Sequence, residues 1–338
     1  MSAVAVVWTE FLACAAIIAV AGASLSRYGD IIAEKTGMGG AWVGLVLLAT
    51  VTSLPELVTG VSAVTLADAP DIAVGNVLGA CVINLTMIVF LDLLQREESI
   101  FTRIGQGHIL SAGFGTIMAG FVGSSVLFAQ HGDLMSFYTV GIYTPMLFVL
   151  YAVAIRTLFR YERATRQEAV EERVERYPKI TLRQAAWRYA LAAVVVVAVG
   201  LWLPYVARDI AHVMAWQETF VGTLFVALAT TLPEIAVTLS ALRIGAVDLA
   251  VSNLLGSNLF NLLLIGVDDL AYLKGPLLSH VSDVHAVSAL SVVMMCGVAV
   301  VSFIYRPRTR LFKTVGWASL MLLSIYLLNT FFHYLYSG

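Results

Sequence analysis

Apolar runs of about 20 residues recur along this chain, each long enough to cross ~30 Å of hydrocarbon as a helix. They lie near residues 8–26, 41–66, 71–94, 107–128 and 136–158, then near 188–207, 218–242, 248–271, 284–305 and 311–332. Of the 338 residues 59% are hydrophobic and 12% charged, with mean hydropathy +0.87. Soluble domains carry about twice that charged fraction, so a water-soluble core is excluded and an all-α integral membrane protein with ten transmembrane helices is expected. The first run has only Glu10 as a charge and lacks the basic start of a signal peptide, so it reads as a retained helix. Cys14, Cys81 and Cys296 all fall in apolar runs without the spacing of a metal site or a bridge, and read as small packing side chains.

Lysine and arginine set the expected orientation. With the N-terminus outside, all of the 20 basic residues except Arg208 and Lys274 fall on the cytoplasmic side, so both termini are expected outside. The one long polar stretch, Arg160 to Gln184, has Glu162–Arg166 and Glu172–Arg176 at i,i+4 spacing, and Val170, Val174 and Tyr177 on one face before Pro178. It reads as an interfacial helix at 160–185 joining a first half, 1–159, to a second, 186–338. It has no acidic loop of calcium-binding spacing.

The two halves repeat each other. With Glu56 set over Glu234, Trp42–Val64 matches Phe220–Leu242 at 9 of 23 positions; one deletion later, Asp71–Leu93 matches Asp248–Leu270 at 11 of 23. Both copies keep Thr-x-Leu-Pro-Glu, and the motifs span 42–94 and 220–270. The copies start an odd number of spans apart, so they must cross the bilayer in opposite directions. Inverted five-helix repeats are the plan of secondary transporters, with the site at the midplane where broken helices meet. Pro55 and Pro233 each remove a backbone donor within a span. Carbonyls loosened in this way must line a cavity or bind an ion.

Glu56 and Glu234 lie about fifteen residues into their runs, near mid-depth, where a charged side chain costs at least about 2.5–3.5 kcal/mol to insert. Hard oxygen donors surround them: Thr52 and Ser53 before Glu56, Thr230 and Thr231 before Glu234, the carbonyls of Ala49 and Ala227, and Asn84 and Asn261, each five residues after a glycine. Carboxylates, hydroxyls, amides and carbonyls suit sodium, calcium or protons, whereas no thiol or imidazole is offered for zinc or copper.

Ala49-Thr-Val-Thr-Ser-Leu-Pro-Glu56 and Ala227-Leu-Ala-Thr-Thr-Leu-Pro-Glu234 resemble the alpha-repeat signatures of the sodium/calcium exchanger family, within the cation/calcium antiporter superfamily. So do Gly75-Asn-Val-Leu-Gly-Ala-Cys-Val-Ile-Asn84 and Ser252-Asn-Leu-Leu-Gly-Ser-Asn-Leu-Phe-Asn261. The resemblance implies that Glu56 and Glu234 are shared calcium and sodium ligands. It also implies that Thr52, Thr230, Ala49 and Ala227 supply oxygens, that Asn84 and Asn261 complete the centre, and that Ser53, Thr231 and Ser257 serve flanking sodium sites. Three positions depart from the family pattern. Val51 and Ala229 stand where glycine is usual. Ala80-Cys81 stands where the second repeat has Ser257-Asn258. Asn261 replaces the aspartate of some members, leaving two central carboxylates.

Two glutamates can be neutralised by one calcium or by two monovalent ions. Competition for shared ligands then couples opposing fluxes, because an empty doubly charged site is costly to move through low dielectric. Calcium/sodium antiport is the first expectation, and calcium/proton antiport through the same glutamates the alternative. A cation channel fits less well with an inverted repeat, and no nucleophile–base arrangement at depth supports an enzyme. The expected partners are the lipid bilayer and the transported cations, with no nucleic acid and no cofactor. A monomer in a prokaryotic plasma membrane is expected. Three further readings follow the same logic: His280, Asp283 and His285 as solvated loop residues, Asp92 and Asp269 as capped helix-end carboxylates, and Gly113 to Gly123 as a close-packing helix face.

Overall fold

A computed structural model describes residues 3–36, 52–95, 99–131, 136–166, 180–243, 245, 247–306 and 316–336. Helices dominate: α1 Ala3–Thr36, α2 Leu54–Thr65, α3 Pro70–Leu94, the single turn α4 Ile100–Arg103, α5 Gly107–His131 and α6 Tyr143–Arg166. The second half has α7 Leu182–Met214, α8 Glu218–Phe220 continued by a π-helical turn Val221–Val226, α9 Ala227–Thr230 and α10 Leu232–Arg243. It ends with α11 Val247–Ala271, α12 His285–Tyr305 and α13 Trp317–Leu335.

Among the described residues seven helices are long and apolar enough to cross a membrane, or eight if the bent pair Glu218–Thr230 and Leu232–Arg243 counts as one span. The expectation of ten is therefore met only in part. Residues 41–51 of one expected span lie outside the described residues. The 24-residue α6 has the length, but its second half carries Arg156, Arg160 and Arg163. The expected span at 136–158 also needs correction, because residues 136–141 form a two-strand hairpin, β1 Ser136–Phe137 against β2 Val140–Gly141. Tyr138 turns it with φ 58, a left-handed conformation that a helix cannot continue.

The linker differs too. Arg160–Arg166 prolongs α6, and α7 starts at Leu182 behind a capping box in which Thr181 and Gln184 exchange side-chain and backbone bonds. Residues 167–179 lie outside the described residues. Regular structure of the halves thus reaches to 166 and back to 182, beyond the expected edges at 159 and 186.

Burial is graded across the bundle. Windows of α3 and α11 are 83% buried, whereas that of α1 is 22% and that of α13 28% buried. The repeated helices are therefore central and are wrapped by α1 packed on α7 and by α5 packed on α12. The 12-residue α2 and α10 each carry proline as their second residue, and each leads into a 25-residue helix. Proline fits the first turn of a helix, where its missing N–H has no partner to lose. Each glutamate motif accordingly stands where a helix restarts. The bend at Thr231 between α9 and α10 is 46°.

Four carboxylate clusters join the halves. Asp71 accepts from His285 at 2.9 Å, and the matching Asp248 accepts from His108 at 3.0 Å. His285 is buried, which corrects the expectation of a solvated loop residue: its ring is drawn in by Asp71 at the start of α3. Asp269 accepts from Tyr143 Oη and Thr144 Oγ1 at 2.5 Å each and from the amides of Gly141 and Leu277. Its counterpart Asp92 takes the hydroxyls of Ser99 and Ser319 and the amide of Ile100. Of the α5 glycines, Gly115 and Gly123 would press a Cβ against Cys296 and Ala289, whereas one on Gly113 would meet nothing within 4 Å. The close-packing face is thus narrower than the sequence suggests.

Candidate ion-binding site

Helix α2 brings Glu56 to the middle of the bundle and α10 brings Glu234, and both side chains are fully buried. Their hydroxyl partners are crossed. Ser53 donates to Glu234 Oε1 at 3.0 Å, and Thr231 donates to Glu56 Oε1 at 3.3 Å. Each motif therefore supplies a donor to the carboxylate of the other, although its own glutamate is only three residues away. A helix restart explains this: residues just before the first turn project ahead of the helix, toward the other restart, whereas the glutamate points across.

Two asparagines that sequence reasoning did not select sit behind the carboxylates. Asn76 Nδ2 donates to the Glu56 carbonyl and Asn253 Nδ2 to the Glu234 carbonyl, both at 3.5 Å. Thr230 Oγ1 donates to Asn76 Oδ1 at 2.9 Å, and Asn253 also reaches Thr238 at 3.2 Å. The signal was present, since Asn76 and Asn253 are the second residues of the matched Gly75 and Ser252 motifs.

On α3 and α11 the amides interlock. Asn84 Nδ2 donates to Asn258 Oδ1 at 3.0 Å, and Asn258 Nδ2 donates to the Cys81 carbonyl at 3.2 Å. Helix α3 also lies close against the π-helical turn, because Gly79 has no side chain. A Cβ there would overlap the Thr223 carbonyl oxygen of the π-helical turn and stand 2.7 Å from Ala227 Cβ.

The repeats differ at one hydroxyl. Ser257 lies 3.3 Å from Thr52 Oγ1, whereas its counterpart Ala80 packs in an apolar patch with Ile83 and Ala227. Thr230, the counterpart of Thr52, bonds Asn76 and the carbonyls of Val226 and Ala227 instead. The expectation of a loosened Ala227 carbonyl differs from the structure. That oxygen accepts the Thr231 amide at 3.0 Å and the Thr230 hydroxyl at 3.2 Å, because α9 stays helical up to the bend. Ala49 lies outside the described residues. The remaining predicted groups, Glu56, Glu234, Thr52, Ser53, Thr230, Thr231, Ser257, Asn84 and Asn261, are all buried.

Several polar atoms in this region have no hydrogen-bond partner among the described residues: Glu56 Oε2, Glu234 Oε2, Asn84 Oδ1 and both amide atoms of Asn261. Buried polar groups are rarely left so. These atoms present four hard oxygens, two of them on carboxyl groups, a donor set suited to a small cation with a charge of +1 or +2.

The chain is 27% identical over 238 residues to the inner membrane protein YrbG of Escherichia coli, covering 70% of each chain. It is 24% identical over 272 residues to the sodium/calcium exchanger MaX1 of Methanosarcina acetivorans, covering 73% of this chain and 77% of the relative. The solved structure of an H+/Ca2+ exchanger, CAX, shares the fold with TM-score 0.65 at 14% identity, covering 96% of this chain and 86% of that one. The family described as sodium/calcium exchanger protein matches residues 6–157 and 185–335, nearly the whole chain. The protein is an integral membrane protein and belongs to the sodium/calcium exchanger family.

Proposed function

We propose that the protein is a secondary antiporter exchanging calcium for sodium by alternating access, with Glu56 and Glu234 as the shared ligands. The observation that carries this reading is the crossed pair of hydroxyl–carboxylate bonds, which leaves one oxygen of each glutamate without a partner among the described residues. One calcium neutralises two carboxylates, and monovalent ions that displace it need the same oxygens. The two loads therefore compete for the same site. Thr52, Thr230, Asn84 and Asn261 complete the centre, and Ser53, Thr231 and Ser257 serve flanking sodium positions, with the carbonyl of Ala49 as a further oxygen.

Ten spans in two inverted sets of five accommodate this site, with residues 41–66 and α6 counted among them. Both termini face outward, since only Arg208 and Lys274 then escape the positive-inside pattern. A prokaryotic plasma membrane is the setting, and a monomer suffices because both carboxylates come from one chain. The specific observation that favours proton coupling instead is Ala80, whose methyl group stands where Ser257 offers a hydroxyl in the other repeat.

The test is calcium flux in proteoliposomes under separately imposed sodium and proton gradients. Sodium-driven calcium uptake, abolished by Glu56→Gln and by Glu234→Gln in normally inserted protein, is the expected result. Near wild-type exchange by either variant would displace the site, and uptake driven by a proton gradient alone would replace sodium as the coupling ion.

A further inference from the structure

Asp268 is a buried carboxyl that the central site does not use. It is 0% exposed, and neither oxygen has a hydrogen-bond partner among the described residues. Its neighbour Asp269 shows what a structural carboxylate looks like in this fold, with two hydroxyls and two amides donating to it. Asp268 has none of these, although the same helix end supplies them one residue later.

Its position ties it to the ion site. On α11 it follows Asn261 by seven residues, about two turns, so both side chains leave the helix on the same side. Across from it stands Gly60 of α2. A Cβ on Gly60 would lie 2.6 and 2.7 Å from the two carboxyl oxygens, so the carboxyl rests on bare backbone. Gly60 follows Glu56 by one turn, a rise of about 6 Å. Both helices lead from here to the same end of the bundle, where Lys274 grips both oxygens of Asp68 at 2.7 Å. That hydrogen bond, and then the lysine charge, hold the Asp68 carboxyl below its usual range. The first repeat has Leu91 at the position matching Asp268, so the group is one-sided.

The surroundings select the occupant. A metal ion such as calcium takes about six to eight oxygens. The hydroxyl of Thr59, next to Gly60 on α2, faces α7, 3.4 Å from where a Cβ on Gly200 would stand. A proton needs one oxygen and cancels the charge that burial disfavours. The charge acting on Asp268 is that of Asp269. Of the other titratable groups on the packed helices, Asp71 pairs with His285, Asp248 with His108, Tyr143 with Asp269, and Asp92 with Ser99 and Ser319, while Tyr151 lies against Phe260. Glu56 and Glu234 face the centre.

We propose that Asp268 is a third cation-binding carboxyl of the transport path, one that takes a proton rather than a metal ion, one helical turn from Glu56 toward the end closed by Asp68 and Lys274. This rests on the antiport reading. The proton leaves an Asp268 oxygen for water at that end, and the carboxylate left behind attracts an incoming cation. Once the cation has moved to the glutamates, a proton from water returns to the same oxygen.

Infrared difference spectroscopy of the full chain in lipid vesicles tests this, with calcium uptake by the same vesicles recorded separately. A carbonyl stretch of a protonated carboxyl, shifted in heavy water, is expected in the wild type and in the Glu56→Gln, Glu234→Gln double variant. It should vanish in Asp268→Asn and be displaced in frequency by Gly60→Ala, which keeps the carboxyl but crowds it. A calcium pulse should perturb it in the wild type. A spectrum unchanged by Asp268→Asn at every pH overturns the proposal. So does a band that neither Gly60→Ala nor calcium alters. Wild-type vesicles that take up no calcium would count against the antiport reading, while the calcium-free spectra still decide whether Asp268 holds a proton.

Discussion

Replacing Gly79 with alanine tests whether the site depends on backbone contact between the halves. The new Cβ would lie 2.7 Å from Ala227 Cβ and 2.8 Å from the Thr223 carbonyl carbon, besides overlapping the Thr223 oxygen. Carbon atoms prefer about 3.5–4.0 Å, so α3 and the π-helical turn must part by about 1 Å. The Thr230–Asn76 bond, 2.9 Å long and three residues from Gly79, ties α3 to α9, the helix that continues the turn. Stretched by that amount it exceeds hydrogen-bond range. Overpacking costs about 1–3 kcal/mol, and the lost bond about 1 kcal/mol more. A stability loss of about 2–4 kcal/mol and calcium affinity weakened by at least tenfold are expected, since Thr230 and Ala227 move with the turn. Denaturation in detergent and calorimetric titration with calcium measure the two. Gly113→Ala is the control, because a Cβ there meets nothing within 4 Å. If Gly79→Ala matches Gly113→Ala in both measurements, the close approach does not hold the site together.

Two further outcomes follow. Ala80→Ser restores the hydroxyl that Ser257 offers in the other repeat, so the sodium concentration for half-maximal calcium flux should fall by roughly one to two orders of magnitude. Calcium affinity should stay nearly constant, and an unmoved sodium curve would remove sodium from that position. Asp269→Asn leaves one oxygen for four donors, so at least two charge-assisted bonds are lost, about 3–6 kcal/mol. Unfolding in detergent should show that loss, and a variant within about 1 kcal/mol of wild type would mean that Asp269 holds no loop in place.

The glutamates were legible because a carboxyl deep in an apolar run needs a reason, and the same run occurs twice. Helix restarts at Pro55 and Pro233 were legible for a similar reason, since proline has few positions open to it in a helix. Hidden from the sequence was which half faces which. Ser53 reads as a companion of Glu56, three residues away, yet it bonds Glu234. His285 reads as a loop residue because its partner Asp71 is 214 positions distant. Asn76 and Asn253 were passed over because an amide in an apolar run costs less than a carboxyl and stands out less, although both copies keep it. The carbonyl of Ala227 was misjudged because the bend falls at Thr231, a turn later than the proline rule alone suggests.

The hydrogen bonds that join the halves also constrain how the chain can be made. Ser53 and Glu234 are 181 positions apart, Thr231 and Glu56 175, and Ser319 and Asp92 227. Contacts of such high order form late, because the intervening chain must exist before they can close. During synthesis the first half must wait in the bilayer with Glu56, Asp71 and Asp92 lacking their distant partners. Those groups can meet their partners only after α7 to α13 have been inserted. A chain arrested near residue 180 would thus hold unmatched carboxyls in lipid, the kind of fragment that membrane quality-control proteases remove. Separately expressed halves, present together, should rescue each other.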